Sequence, residues 1–288
     1  MNPIRKYALE GVWNIGFVRE CLDEILSTDK PLHFDWMKHN FNDRWFADPF
    51  ILDVTESHII VLVEEYYNPI HRGRISRLKV NKQTFELEDV DTILQLDTHL
   101  SFPAISRKGD NIFIYPENCA SGSLKLYQYD SVNNSCKPVR TLCNEPLTDA
   151  VISDISGKEY IMSTQLPNPN KNMLGCYDES GLVQTTMFSD NTARNAGAWF
   201  NYQGQWYRPA QDCNKTYGGA VIIQKVTMDG FKVKTEDLRR IEHIHPKLNV
   251  GCHTFNHYEG ITVVDVRGYK RPVVKTIYSN LISLIGRG

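Results

Sequence analysis

The chain has 288 residues, with 32 Lys and Arg against 34 Asp and Glu and a formal net charge of −2. That near-balance excludes the strongly basic surface a nucleic-acid backbone demands, so no nucleic-acid partner is expected. The length is enough for a large core, and a radially repeated β architecture can occupy it as one domain.

The first residues, Met1 to Tyr7, lack an apolar signal-type core, and no window approaches the roughly 18 uninterrupted apolar residues of a membrane span. A cytoplasmic location is therefore expected. Residues 11–30 include Trp13, Ile15, Phe17, Val18, Leu22, Ile25 and Leu26, with helical spacing from Val18 to Leu26. This predicts an N-terminal extension over residues 1–43, an extended lead and a short helix, packed on the outside of the main body of the chain.

From residue 44 to 268 one pattern recurs five times: an apolar strand, a turn, and a second apolar strand ending on an acid or amide. The copies are Trp45 to Leu52 with the run to Glu64-Glu65, Phe102 to Ile105 with the run to Glu117, Asp149 to Ile152 with the run to Gln165, Ala198 to Phe200 with the run to Asp212, and His253 to Phe255 with the run to Asp265. With Asp48, Pro103, Asp149, Ala198 and His253 as equivalent points, the spacings are 55, 46, 49 and 55 residues. That period matches a propeller blade. The predicted fold is all-β, a five-bladed β-propeller with a short N-terminal helical extension.

Turn chemistry supports the hairpins at Lys108-Gly109-Asp110, Ser156-Gly157-Lys158 and Gln203-Gly204-Gln205. Between them, residues 74–80, 124–129 and 220–226 alternate apolar and polar side chains and read as half-exposed outer strands, giving four strands per blade. The loop Pro167 to Asn172 is expected to rim a binding face. The tail, 269–288, interleaves Lys270, Arg271, Lys275 and Arg287 with Val273, Val274, Ile277, Leu281, Ile282, Leu284 and Ile285. It fits either a closing element packed on the barrel or a basic amphipathic stretch in peripheral contact with an anionic membrane.

Seven cysteines, Cys21, Cys119, Cys136, Cys143, Cys176, Cys213 and Cys252, are scattered without a CxxC pair and read as reduced, mostly buried thiols. Cys119, Cys213 and Cys252 stand beside polar strand ends, as small wall residues of a shared cavity. His253 and His257, with His243 and His245 upstream, suggest a metal only on a helix. On a strand, side chains four apart lie about 13 Å from each other. No metal and no cofactor is expected, and His253 is read as a hydroxyl or phosphate contact.

A propeller gathers the ends of its inner strands around one axial depression. The acids placed there by the repeat are Asp48, Asp149, Glu65, Glu117, Asp212 and Asp265. Glycosidic chemistry needs one carboxylic acid to protonate the leaving oxygen and one carboxylate opposite it, and crowding acids raises one pKa. The competing reading leaves Asp48 as a turn acid and pairs the strand-end acids with Arg72, Arg74 or Arg208. The segment Trp206 to Cys213, followed by Tyr217-Gly218-Gly219, joins aromatic faces to Arg208, Gln211 and Asp212, a combination suited to a sugar, or else a buried Arg-Asp pair.

Taken in order, Arg44-Trp45-Phe46-Ala47-Asp48-Pro49-Phe50, Leu100-Ser101-Phe102-Pro103, Ile114-Tyr115-Pro116-Glu117, Arg208 to Cys213 with Tyr217-Gly218, and Gly251-Cys252-His253-Thr254 resemble the five-bladed propeller at the N-terminus of plant glucosamine inositolphosphorylceramide transferases and related bacterial proteins. The resemblance covers most of residues 40–268. In the plant proteins glycosyl transfer belongs to a separate C-terminal domain not represented in these residues, which implies an ancillary sugar-recognition module. The bacterial relatives imply work on surface polysaccharide precursors. More distantly, Ala47-Asp48-Pro49 is similar to the five-bladed glycosidases that include arabinanases, β-xylosidases and invertases. That likeness implies Asp48 as base or nucleophile and Asp149 as the orienting acid. Glu117 is the nearest candidate for the proton donor, although it sits at a second-strand end.

The leading expectation is a carbohydrate-active enzyme transferring a glycosyl group to water or an acceptor. Asp48, Glu117 and Asp149 form its acid/base set, with Trp45, Glu65, Arg208, Gln211, Asp212, Tyr217 and His253 holding substrate. The alternative is a non-catalytic propeller that binds a glycan or nucleotide sugar and scaffolds a partner glycosyltransferase. Two axial acids about 5–9.5 Å apart across an open pocket favour the first reading, and acids all locked in arginine pairs would rule it out.

Overall fold

A computed structural model describes residues 3–155, 157–165, 172–242 and 245–285. The chain begins with helix α1 (Pro3–Ala8), strand β1 (Gly11–Val18), helix α2 (Leu22–Ser27) and strand β2 (Phe34–Trp36). Four sheets come next in chain order. Blade one is β3 (Arg44–Val54), β4 (His58–Tyr67), β5 (Arg72–Asn81) and β6 (Leu87–Leu94), and blade two is β7 (Ser101–Lys108), β8 (Asn111–Glu117), β9 (Leu124–Asp130) and β10 (Ser135–Cys143). Blade three is β11 (Leu147–Ile155), β12 (Lys158–Gln165), β13 (Met173–Asp178) and β14 (Gly181–Met187), and blade four is β15 (Phe200–Tyr202), β16 (Gln205–Asp212), β17 (Ala220–Asp229) and β18 (Lys232–Ile241). The chain ends with β19 (Phe255–Tyr258), β20 (Ile261–Tyr269) and helix α3 (Pro272–Ile285).

The fifth sheet has the order β19-β20-β1-β2. Strand β1 pairs antiparallel with β20 from Gly11 opposite Tyr269 to Val18 opposite Thr262, so the two ends of the chain close the ring. The segment expected to lie outside the propeller is therefore its last blade in part. The reason is visible in its period. Ile15 and Phe17 stand two apart, separated by Gly16, and are buried on one face of the strand, whereas the helical spacing beyond Val18 produces only the six-residue α2, which buries Leu22 and Ile25.

Strands β5, β9 and β17, expected at the rim, are the third of four, and β17 is buried along most of its first half. Gln203 and Gly204 both adopt positive φ, the mirror-image turn that matches strand twist in a tight hairpin. Ser156 and nearly all of the Pro167–Asn172 loop lie outside the described residues, as does His243. Helix α3 packs against α1 and β20, so the tail is a helix and not a closing strand.

The repeat has a physical core that the spacing alone misplaces by one residue. Each of β3, β7 and β11 breaks register with its neighbour, between Ala47 and Phe50, Ser101 and Ala104, and Thr148 and Val151. At each bulge one residue has left-handed φ, namely Asp48 at 50°, Phe102 at 44° and Asp149 at 44°. Phe102, not Pro103, is thus the counterpart of Asp48.

Ring closure through β1 sets an expectation for stability. Ile15→Ala removes a fully buried side chain from the closing strand and should cost about 2–5 kcal/mol in urea unfolding. A loss below about 1 kcal/mol would show that β1 contributes little to the closed ring.

Candidate functional site

The axial acids link one blade to the next. Asp265 on β20 accepts the bulge N–H of Asp48 through Oδ2 at 3.2 Å, Asp48 Oδ2 accepts the bulge N–H of Phe102 at 3.0 Å, and Glu117 Oε2 accepts the bulge N–H of Asp149 at 3.0 Å. A residue with positive φ turns its N–H out of the strand ladder, and the carboxylate of the preceding blade satisfies it. Blade four has no such bulge: β15 contains no residue with positive φ and pairs without a register shift. Instead the segment before it supplies Arg194, whose Nε donates to Asp149 Oδ2 at 2.5 Å, with Nη2 3.8 Å from Glu117 Oε2.

His253 completes the cluster from blade five. Its Nδ1 lies 2.6 Å from Asp265 Oδ2 and its Nε2 3.6 Å from Asp48 Oδ1, while Thr254 Oγ1 donates to Asp48 Oδ1 at 2.9 Å. Among the described residues Asp48, His253 and Asp265 are the group whose polar atoms converge closely enough to hold a metal ion. A cation between two ligands about 2.0–2.2 Å away would hold them further apart than 2.6 Å, so a proton fits between Nδ1 and Oδ2 and an ion does not.

Burial works against charge on His253, yet the carboxylates of Asp265 and Asp48 outweigh it and hold its pKa at about 9. Burial lifts Asp48 to about 8, with His253 pulling the other way and Glu64, Asp265 and Asp149 adding to the rise. Burial, reinforced by Asp149 and opposed by Arg194, lifts Glu117 to about 7. Asp265 is buried too, but His253 keeps its carboxyl below the ordinary range.

The predicted residues separate into distinct environments. Asp48, Glu117, Asp149, His253 and Asp265 share the axial cluster, and Gln211 joins it by donating to Asp149 Oδ2 at 2.9 Å. Glu65 does not. It is fully buried and held by Arg44 at 2.7 Å, Arg74 at 2.9 Å and Ser76 at 2.5 Å. Register explains this: Glu64 opposes Ala47 just as Glu117 opposes Ser101, so Glu64 is the repeat-equivalent acid and Glu65 points to the other face. Glu64 Oε1 faces His99 Nε2 at 3.2 Å.

Arg208, expected to grip substrate, is wholly buried, and its guanidinium bonds Asn195, Gln224 and the carbonyls of Thr192 and Ala193. Burial pulls its pKa down to about 9. Asp212 is taken by Arg240 and by the N–H of Asn214 at 2.8 Å. His257 bonds Thr262 through Nδ1 at 2.8 Å, apart from His253.

Beside the cluster lies a cleft of about 880 Å³ whose aromatic lining is Trp13, Trp45, Tyr66, Tyr217 and Tyr7. Trp13 stacks on His253 with ring centroids 4.1 Å apart, and Tyr217 meets the same ring edge-on at 5.5 Å. Trp45 and Tyr66 stack at 4.8 Å. Of the residues expected to hold substrate, Trp45 and Tyr217 line this cleft, whereas Trp13, Tyr66 and Arg194 carried no repeat signal. None of Cys119, Cys213 and Cys252 lines this cleft. Gly218 explains how Tyr217 reaches the axis. Its φ is +57°, and a Cβ there would lie 2.6 Å from His253 Cβ, so only glycine lets this loop close on the histidine.

Comparison with known proteins places this geometry. Residues 34–245 match the family described as glucosamine inositolphosphorylceramide transferase 1, N-terminal. The transferase of Arabidopsis thaliana is 26% identical over 213 residues, covering 69% of this chain and 27% of the plant protein. That of Oryza sativa subsp. japonica is 24% identical over 208 residues, covering 67% and 28%. The chain thus spans little more than a quarter of these relatives. Among solved structures, a β-xylosidase/α-arabinofuranosidase from a compost microbial metagenome aligns with a TM-score of 0.51 at 12% identity, over 78% of this chain and 86% of that one. An exo-β-1,3-galactanase from Phanerochaete chrysosporium aligns with a TM-score of 0.53 at 8% identity, over 73% and 54%. These structural likenesses concern the fold. The family match contains Asp48, Glu117, Asp149, Arg194 and Tyr217, while Trp13, His253 and Asp265 fall outside it.

The cluster generates two expected outcomes. Asp48, Glu117 and His253 all bind protons more tightly folded than unfolded, so stability falls as pH rises. The His253 part is complete below pH 6.5 and lost as pH passes through about 9. The urea midpoint should decline from pH 6.5 to 9, and His253→Gln should flatten the upper part of that decline; a midpoint rising over this window contradicts the assignment. Arg208→Ala should leave ligand binding alone but orphan several buried acceptors, each worth about 1–3 kcal/mol, and lower unfolding free energy accordingly.

Proposed function

The chain belongs to the family of the N-terminal domain of glucosamine inositolphosphorylceramide transferase 1, and on that premise we propose that it is a carbohydrate-binding propeller whose ligand occupies the aromatic cleft. The observation that carries this reading is the lining of four aromatic side chains, Trp13, Trp45, Tyr66 and Tyr217, over the axial histidine. Flat rings bury the apolar faces of a sugar, and Asn68, His71, Arg5 and Arg267 at the same cleft offer polar contacts to hydroxyl, carboxylate or phosphate groups. A glycan or nucleotide sugar is the ligand class. The plant relatives, named as transferases, suggest a role beside a partner glycosyltransferase in surface polysaccharide or glycoconjugate metabolism.

The axial acids favour recognition over bond cleavage because they are committed to the scaffold. Asp149 is held by Arg194 and Gln211, and Asp48 by the Phe102 N–H, Thr254 and the His253 contact. A second reading, glycosyl transfer to water or an acceptor, rests on one group. Glu117 keeps part of its side chain exposed, at 13%, and its pKa near 7 suits a proton donor at neutral pH.

Titration of glycans and nucleotide sugars against the folded protein, followed by calorimetry, tests both readings. Trp45→Ala should weaken the best ligand about tenfold or more, since burying an aromatic side chain is worth about 1.5–3 kcal/mol. Turnover of that ligand abolished by Glu117→Gln with binding retained would establish the second reading. If no carbohydrate binds, the recognition reading falls.

A further inference from the structure

Helices α1 and α3 leave apolar side chains exposed that blade packing does not account for. They pack on each other, and Arg271 fastens them: its guanidinium lies 3.8 Å from the centre of the Tyr7 ring, and Nη1 donates to the Tyr7 carbonyl at 3.2 Å. On α3, Val273 and Ile277 are 71% and 56% exposed and stand four residues apart, one turn above the other on the same face. Tyr7 on α1, whose ring carries the Arg271 guanidinium, is 54% exposed. Large apolar side chains grouped in this way mark an interaction surface.

The charge around this patch selects its partner. Over residues 3–10 and 269–285 there are five cations, Arg5, Lys6, Lys270, Arg271 and Lys275, against a single carboxylate, Glu10. Glu10 is itself paired with Lys270 at 3.0 Å and Arg271 at 2.5 Å. Neither helix contains an acid. Apolar side chains flanked by a net excess of cations match the interface of an anionic bilayer, where each cation near the surface adds attraction and the apolar groups enter the headgroup boundary. A helix of 14 residues spans about 21 Å, short of the roughly 30 Å hydrocarbon core, and no described helix is long and apolar enough to cross a membrane.

We propose that the α1–α3 face seats the propeller on an anionic lipid membrane. Tyr7 belongs to both the patch and the cleft lining, and Arg5, Leu9 and Glu10 continue along the cleft, so seating brings the cleft mouth to the headgroups. A glycan attached to a lipid then enters without leaving the bilayer. That consequence rests on reading the cleft as a sugar site; the membrane contact itself does not.

Co-sedimentation of the full chain with vesicles tests the contact. Vesicles of phosphatidylcholine mixed with phosphatidylglycerol should retain the protein, vesicles of phosphatidylcholine alone should not, and added salt should release it. The double variant Val273→Glu with Ile277→Glu should bind at least about tenfold more weakly, because two exposed apolar groups are lost and two like charges gained. As a control, Val132→Glu alters a side chain that is 88% exposed in the β9–β10 turn and should bind as the wild type does. Equal binding to both vesicle types, or equal loss in the control, would overturn the proposal. So would a wild-type dimer in sedimentation velocity that the double variant makes monomeric, which would assign the face to a second copy of the chain. Failure of vesicle binding leaves carbohydrate binding at the cleft untouched, and failure of carbohydrate binding leaves vesicle binding untouched.

Discussion

The constraint on which the rest depends is the bond from an axial carboxylate to the bulge N–H of the next blade. Three consecutive bonds of this kind run from Asp265 to Asp48, from Asp48 to Phe102 and from Glu117 to Asp149. Each bulge places a non-glycine residue in the left-handed region, at a cost of about 1–3 kcal/mol, and each buried carboxylate loses its hydration. The two costs offset one another because the strained backbone aims an N–H at the acid that needs it. Without the acids the bulge N–H groups would be buried and unpaired, and without the bulges the acids would be buried charges with fewer donors.

Blade five has no such bulge, since its Asp265 accepts the N–H groups of His253 and Thr254 within the blade, and blade four departs from the rule in a way that shapes the site. In place of a bulge it offers the Arg194 guanidinium, which neutralises Asp149 and approaches Glu117. The axis therefore holds two charge systems, a histidine shared by Asp265 and Asp48 and an arginine shared by Asp149 and Glu117. Of the two carboxyls that share the arginine, Glu117 is held less tightly, meeting one backbone N–H, the Cys119 thiol and a distant Nη2. Arg208 shows the opposite extreme. Its rigid fork of donors satisfies carbonyls in the segment leading into β15, a task for which a lysine point charge is a poor substitute.

The repeat was legible in sequence because strand, turn and strand recur with polar ends, and that pattern is local. Its fine register was not. A bulge adds one residue to a strand, so spacing alone aligned Pro103 where Phe102 belongs. In the same way Glu65 was favoured over Glu64, although alternation sends neighbours to opposite faces. The make-up of blade five was hidden for a different reason: two of its strands come from the other end of the chain, and no local signal joins Gly11 to Tyr269. Trp13 therefore read as part of an outer extension, and Arg194, in a segment of turns and bridges, carried no periodic signal at all.

Closure of the ring and formation of the cleft are one event. Strand β1 completes the fifth blade and carries Trp13 onto His253. Opposite it, Gly218 and Gly251 approach so closely that a Cβ on Gly251 would collide with the Gly218 carbonyl oxygen, and the Cys252 N–H bonds that same carbonyl at 3.0 Å. The loop carrying Tyr217 is thereby fixed to the segment that carries His253 into β19. A ligand seated between Trp13 and Tyr217 binds only the closed ring, so its binding energy adds to the stability of closure by mass action. The same linkage runs in reverse: any change that loosens β1 from β20 takes away one wall of the cleft, even where no residue touching the ligand has been altered.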